Sequence, residues 1–314
     1  MIGMKTKTII LTVLIIIIAG LGIYLTIKHS QQQSATPGQQ VGSSSPAQTS
    51  PSSPASPASP SSPSRSSAPQ EVIGKSVQGR DITAYHYGTG STDILFVGGI
   101  HGGYEWNSSL VAYQLMDYLA ANPSVIPANE RITVIPALNP DGLAKVVGHD
   151  GRFTASDVSP SQSTQVAGRF NANNVDLNRN FDCKWQASGI WQNKTVSGGT
   201  SAFSEPESQA IQAYIGANKP AAAIVWYSAA GGVYASACTG PTLPATTSLA
   251  KAFAVASGYP FYEQFDAYAL TGDMVNWFAS QNIPAVSVLL TNHTDTEWSM
   301  NLAGIQAVFE RYAK

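Results

Sequence analysis

The chain has 314 residues, with 17 Lys and Arg against 19 Asp and Glu, a formal net charge of −2 and 11% charged residues. A near-neutral chain without a basic block excludes nucleic acid as the partner, because phosphate binding needs clustered cations. Two cysteines exclude a disulfide-built scaffold and a cysteine-ligated structural zinc site.

Residues 1–7 carry Lys5 and Lys7 and precede an uncharged apolar stretch at 8–27 (TIILTVLIIIIAGLGIYLTI). That length suits a single transmembrane helix. The positive-inside rule puts the short N-terminus in the cytoplasm and the C-terminal part outside it. A cleaved signal peptide is the competing reading. Its apolar region runs about 7–15 residues and ends in an A-x-A-like site, whereas this stretch is longer and Lys-His-Ser-Gln follows it. The expectation is an uncleaved single-pass anchor. Residues 28–69 are rich in Ser, Pro, Gln and Ala, and from residue 30 onward the only charge is Arg65. So little apolar surface cannot offset chain entropy, which predicts a disordered, extended spacer.

Residues 70–314, about 245 in all, change character and suit one large domain. Residues 93–100 (DILFVGGI) predict a buried strand, followed by a helix over 105–121. Residues 131–138 predict another strand. Ser204-Glu205-Pro206-Glu207 has the form of a capping box opening a helix to residue 217. A continuous apolar strand is expected at 221–227, a helix at 247–257, a strand at 285–290 and an amphipathic helix at 297–313. Apolar strands alternating with helices imply an α/β fold: a mixed, mostly parallel sheet sandwiched by helices. In such sheets ligands bind beyond the carboxyl ends of the strands.

Three strand-end segments carry candidate chemistry. The first runs from Gly98 to Trp106, where His101 and Glu105 offer an imidazole nitrogen and a carboxylate, both acceptable to zinc. The second is Asn139-Pro140-Asp141-Gly142, which alone reads as a turn. In the third, Arg169 opens a segment containing Asp176-Leu177-Asn178-Arg179-Asn180-Phe181. Asn178 and Arg179 present an amide beside a planar guanidinium, a fork suited to a carboxylate.

In this order and spacing the segments resemble the zinc metallocarboxypeptidases of the carboxypeptidase A type, the funnelin family. The resemblance begins at Ile73-Gly74-Lys75-Ser76-Val77-Gln78-Gly79-Arg80, similar to the family's G-x-S-x-x-G-R opening. It extends to Tyr268, which precedes Thr271-Gly272-Asp273 and Trp277 as the family's mobile tyrosine does. It implies His101 and Glu105 as zinc ligands, and Asn178 and Arg179 as the grip on a substrate's C-terminal carboxylate. Arg169 is implied as the oxyanion stabiliser, with Arg152 a possible substitute, and Tyr268 as the residue that closes over substrate. It further implies a zinc-activated water whose proton passes to a glutamate. The substrate would be a peptide, or a cell-wall peptide, with a free C-terminal carboxylate. Val275 falls at a position that helps set specificity, with Asn276 nearby, which favours neutral or apolar side chains.

Three positions depart from the family. Glu105 lies four residues after His101 instead of three, which rotates it by about 100° on a helix unless a bulge at Gly102 and Gly103 absorbs the difference. Tyr227 stands where the third zinc ligand, a His, belongs. A phenol with a pKa near 10 ligates zinc only as tyrosinate, so a packed aromatic is the better reading. Leu289 stands where the general-base Glu belongs. Asp295 and Glu297 are better read as capping acids of the last helix than as replacements, and His293 as a turn residue. Cys183 and Cys238 form either one disulfide or two buried thiols. Two functions follow: a membrane-anchored zinc carboxypeptidase, or a degenerate relative that binds peptide C-termini or wall fragments without hydrolysis.

Overall fold

Residues 69–314 are described in the computed structural model. The expected anchor at 8–27 and the spacer up to residue 68 lie outside the described residues. Among the described residues no helix is long and apolar enough to cross a membrane.

The strands are β1 (Gln70–Lys75), β2 (Asp81–Tyr87), β3 (Thr92–Val97), β4 (Glu130–Ile135), β5 (Ser188–Trp191), β6 (Lys194–Ser197), β7 (Ala222–Ser228), β8 (Gly232–Ala235), β9 (Phe261–Tyr262) and β10 (Ala285–Leu290). Eight of them form one sheet in the order β1-β2-β4-β3-β7-β10-β8-β9, and β5 pairs with β6 separately. The centre, β4-β3-β7-β10, is parallel. β1–β2, β2–β4 and β10–β8 are antiparallel. The helices are α1 (Trp106–Ala121), α2 (Pro140–Val147), α3 (Gln162–Ala167), α4 (Pro206–Asn218), α5 (Pro244–Ser257), α6 (Met274–Ser280) and α7 (Trp298–Tyr312).

A strand side chain points to alternate faces every residue, and the central strands are apolar on both. Ile224 and Trp226 of β7 and Val286 and Val288 of β10 pack with residues of α1, α5 and α7. Val225, Tyr227, Ala285 and Leu289 pack with residues of α4 and α6. Trp226 stacks on Phe96 at 5.5 Å, and its indole N–H donates to Asn301 at 2.9 Å. The same alternation sets Tyr227 and Leu289 side by side on one face, as register partners in neighbouring parallel strands.

Two local expectations are corrected. Asn139-Pro140-Asp141-Gly142 is the first turn of α2, with Asn139 capping it by accepting from the Gly142 N–H at 2.9 Å. No capping box forms at Ser204. Its hydroxyl donates to Glu205 Oε1, and α4 starts from Glu205 without a side-chain cap.

Candidate functional site

β3 ends at Val97 and hands the chain through Gly98 and Gly99 to His101. Gly102 takes a left-handed φ of +45°, and a Cβ there would lie 2.5 Å from the Gly168 carbonyl oxygen. Only glycine tolerates both conditions. A 3₁₀ turn, Gly102–Glu105, precedes α1, so the extra residue between His101 and Glu105 is absorbed before the helix begins. The imidazole and the carboxylate still meet, with His101 Nδ1 2.9 Å from Glu105 Oε1.

Neighbouring segments fix this corner. The Asn139 amide donates to the Arg169 carbonyl at 3.2 Å. Asp141 accepts from the Ser76 hydroxyl at 2.7 Å, the Gln78 N–H at 3.0 Å and Arg80 at 2.8 Å. The G-x-S-x-x-G-R segment therefore braces α2 and does not enter the cleft.

Arg169 is buried, and its Nε and Nη2 donate to Asp176 Oδ2 at 3.0 and 2.9 Å. Its Nη1 lies 3.6 Å from Glu105 Oε1. Its guanidinium is stacked against Trp191 at 4.5 Å and faces Tyr104 at 5.8 Å. Asp176 is fully buried, with Oδ1 3.5 Å from His101 Nε2. Burial alone would raise the Asp176 pKa, but Arg169 and then His101 outweigh it and hold the carboxyl far below its usual range. For His101 burial and Arg169 favour the neutral ring, yet Glu105 and Asp176 raise its pKa on balance. Arg152 instead pairs with Asp117 at 2.8 Å and lies over Tyr113, in an exposed position. Of the two candidate arginines, Arg169 is the one at the site.

Asn178 is turned inward. Its amide donates to Asp273 Oδ2 at 2.8 Å, and its Oδ1 accepts from the Met274 N–H at 3.0 Å and the Tyr227 hydroxyl at 3.4 Å. Arg179 is buried and donates to the carbonyls of Asn178 and Ile190. Tyr268, 37% exposed, covers the Arg179 guanidinium with its ring at 5.4 Å.

His101, Glu105, Arg169, Asn178, Tyr227, Tyr268 and Leu289 all line one cavity of about 80 Å³. Arg179 stands behind it, beyond Tyr268. Beside the cavity is a chamber of about 310 Å³ that shares Tyr268 and Asp273 and includes Lys184, Asp266 and Asn276. Val275 is 1% exposed in the core and lines neither space, so the specificity expectation drawn from it does not stand. The capping role expected of Asp295 and Glu297 is corrected. Glu297 stands at the N-cap of α7 without a side-chain capping bond, its carboxylate accepting from the Tyr259 hydroxyl and the Thr291 N–H. Asp295 accepts from the Asn292 amide, and neither lines the cavity as a replacement base. His293 rests against the Tyr104 ring at 4.6 Å. Cys183 and Cys238 are joined in a disulfide. Sequence reasoning missed Asp176 as a site residue. It also missed the hairpin β5–β6, which brings Trp191 over Arg169.

A catalytic zinc takes three protein ligands. Two fit: the His101 nitrogens are buried beside carboxylates without a well-directed hydrogen bond, and Glu105 Oε2 is buried without a partner. The third position does not. Burial first, then Asp273 and Glu105, push the Tyr227 phenol well above its ordinary pKa, which opposes the tyrosinate that zinc would need. Among the described residues no group of three or more His, Cys, Asp or Glu is arranged to hold a metal ion. The donor set as a whole does not fit a catalytic zinc.

An eight-stranded mixed sheet between helices, with an imidazole and a carboxylate at a central strand end above a recessed arginine, defines a carboxypeptidase scaffold. The chain belongs to the zinc carboxypeptidase family, whose model matches residues 63–303, and zinc is expected for that family. Chicken (Gallus gallus) carboxypeptidase Z is 32% identical over 122 residues, covering 35% of this chain and 18% of that protein. Human carboxypeptidase D is 31% identical over the same length, covering 35% and 8%. The match thus spans under a fifth of either relative. In structure the chain is similar to the murein-tripeptide amidase of Escherichia coli O157, with a TM-score of 0.55, 19% identity and 79% and 93% of the two chains covered. It is also similar to carboxypeptidase A of Helicoverpa armigera, with a TM-score of 0.59, 20% identity and 76% and 66% covered. Both likenesses concern the fold.

Proposed function

We propose that this chain is a membrane-anchored, extracytoplasmic member of the family that holds the free C-terminal carboxylate of a peptide or cell-wall peptide without hydrolysing it. One observation carries the reading: Tyr227 and Leu289 are paired in neighbouring strands and line the same cavity as His101 and Glu105. The positions expected to supply the third ligand and the proton acceptor face the site, and their side chains can do neither job. Losing a general base alone forfeits on the order of 10²–10⁴ in rate.

Recognition rests on Arg179. A guanidinium has five N–H donors, and Arg179 gives two bonds to carbonyls while its Nε has no partner. Its aromatic cover, Tyr268, is partly exposed, so displacing that ring opens the cation to a carboxylate. The murein-tripeptide amidase likeness favours wall peptides as the ligand class. The apolar stretch at 8–27, the spacer and the Cys183–Cys238 disulfide favour an oxidising, extracytoplasmic setting.

The test is calorimetric titration of the full chain, in detergent, with short peptides and wall peptides, alongside an assay for released C-terminal residues. Binding without release, abolished in Arg179→Ala and by amidation of the peptide's carboxylate, is the expected outcome. The second reading, hydrolysis, draws on His101 and on the unpartnered Glu105 Oε2 beside it. Chelator-sensitive release of a C-terminal residue would establish it in place of the first.

A further inference from the structure

We propose that the Arg169 guanidinium is the resident cation of this site, balancing Glu105 and Asp176 where the family places a metal, so that the domain folds and binds its ligand without zinc. The inference deepens the reading above and rests on it for the ligand.

One carboxylate oxygen is shared by an imidazole and a guanidinium. Glu105 Oε1 lies 2.9 Å from His101 Nδ1 and 3.6 Å from Arg169 Nη1. A metal held by His101 and Glu105 would therefore sit beside a fixed positive charge. Arg169 has no room to withdraw. It is 2% exposed, fastened to Asp176 Oδ2 through two nitrogens, and stacked against Trp191.

Much of the charge is met without an ion. Glu105 and Asp176 supply two negative charges, and Arg169 supplies one positive charge that bridges the pair. His101 touches both carboxylates, 2.9 Å from one and 3.5 Å from the other. A buried carboxylate without a cation is costly, so removing either partner of such a set exposes the other to its full desolvation penalty. The third observation is Tyr227: its hydroxyl is within 3.4 Å of Asn178 Oδ1, so the open ligand position is filled by a neutral group with a partner of its own.

The same geometry changes what Arg169 can do. With Nε and Nη2 on Asp176 and Nη1 beside Glu105, it is a positioning residue that orders the ionic set.

The experiment measures metal content and thermal melting of the full chain in detergent, expressed with zinc in the medium. The wild type should hold well under one zinc per chain, and its melting temperature should be unmoved by chelator or added zinc. Arg169→Gln should lower that temperature by about 10 °C, with Arg169→Lys falling less. Should Arg169→Gln fail to fold, the gain-of-ligand variant Tyr227→His decides the matter. It should still take up no zinc while Arg169 is present. Stoichiometric zinc in the wild type, melting lowered by chelator, an unchanged melting temperature in a folded Arg169→Gln, or zinc filling Tyr227→His would each overturn the proposal. Peptide affinity measured with and without chelator separates the two claims. Equal affinity supports metal-free binding, and affinity lost with chelator overturns it. Absence of binding in both conditions, with no zinc found, removes the ligand reading and leaves the assignment of Arg169 standing.

Discussion

Asn178 lines the cavity and also ties three elements together. Its backbone N–H donates to Asp176 at 3.1 Å, and its side chain joins the Asp273 carboxylate, the Met274 N–H and the Tyr227 hydroxyl. Asn178→Ala would leave a buried carboxylate short of a donor and a buried N–H without an acceptor. It should cost about 2–4 kcal/mol in chemical denaturation. Tyr227→Phe removes only the long contact at 3.4 Å and should change stability by less than about 1 kcal/mol, by the same measurement. Asp176 shows why part of the site was illegible at this scale. Its partner Arg169 is seven residues away along an irregular loop, and no periodicity links the two. Only the fold reveals that both are buried against His101. His101 and Glu105 were legible as an imidazole and a carboxylate at a strand end, whereas Tyr227 and Leu289 were legible through the family resemblance, and β-alternation then put both on one face.

At the scale of elements, β7 and β10 were recognisable as unbroken apolar runs, since a strand covered on both faces has no polar side. The hairpin β5–β6 was not. Each strand has four residues, and the turn between them places Gln192 and Asn193 at positive φ without the Asn-Gly or Asp-Gly pair that advertises such a connection. β4 carries a feature with a pH signature. Glu130, its first residue, is fully buried, and neither carboxylate oxygen has a hydrogen-bond partner. Burial raises its pKa from 4.5 to about 7. As pH rises through that window the unfolded chain releases the proton first, while the folded state retains it. Stability therefore falls between pH 4.5 and 7 and levels off above. Glu130→Gln should remove this slope and gain on the order of 1–3 kcal/mol at pH 8, with little gain at pH 4.5. Urea titrations at the two pH values give the comparison.

For the whole molecule, the layered architecture was legible in the alternation of apolar strands and helices. The closing of the Cys183–Cys238 pair was not, because spacing along the chain does not report distance in space. The bond spans 55 residues and links the loop after Arg179 to the segment after β8. Replacing both cysteines with serine should lower unfolding stability by about 2–4 kcal/mol, read by denaturant titration of the oxidised and doubly substituted proteins. One further relation follows from the strand directions. The register sets Gln70 opposite Tyr85 and Tyr85 opposite Val134, so β1 begins on the outer edge of the sheet near the carboxyl end of β4. The last residues return to the other end of that strand: Tyr312 accepts from the Asn129 amide, and the Lys314 N–H donates to Asn129. The cleft opens past the carboxyl ends of β3, β7 and β10, so the C-terminal extremity emerges at the base with the mouth at the crown. A fluorescent protein or solid support grafted onto that extremity leaves the doorway unobstructed.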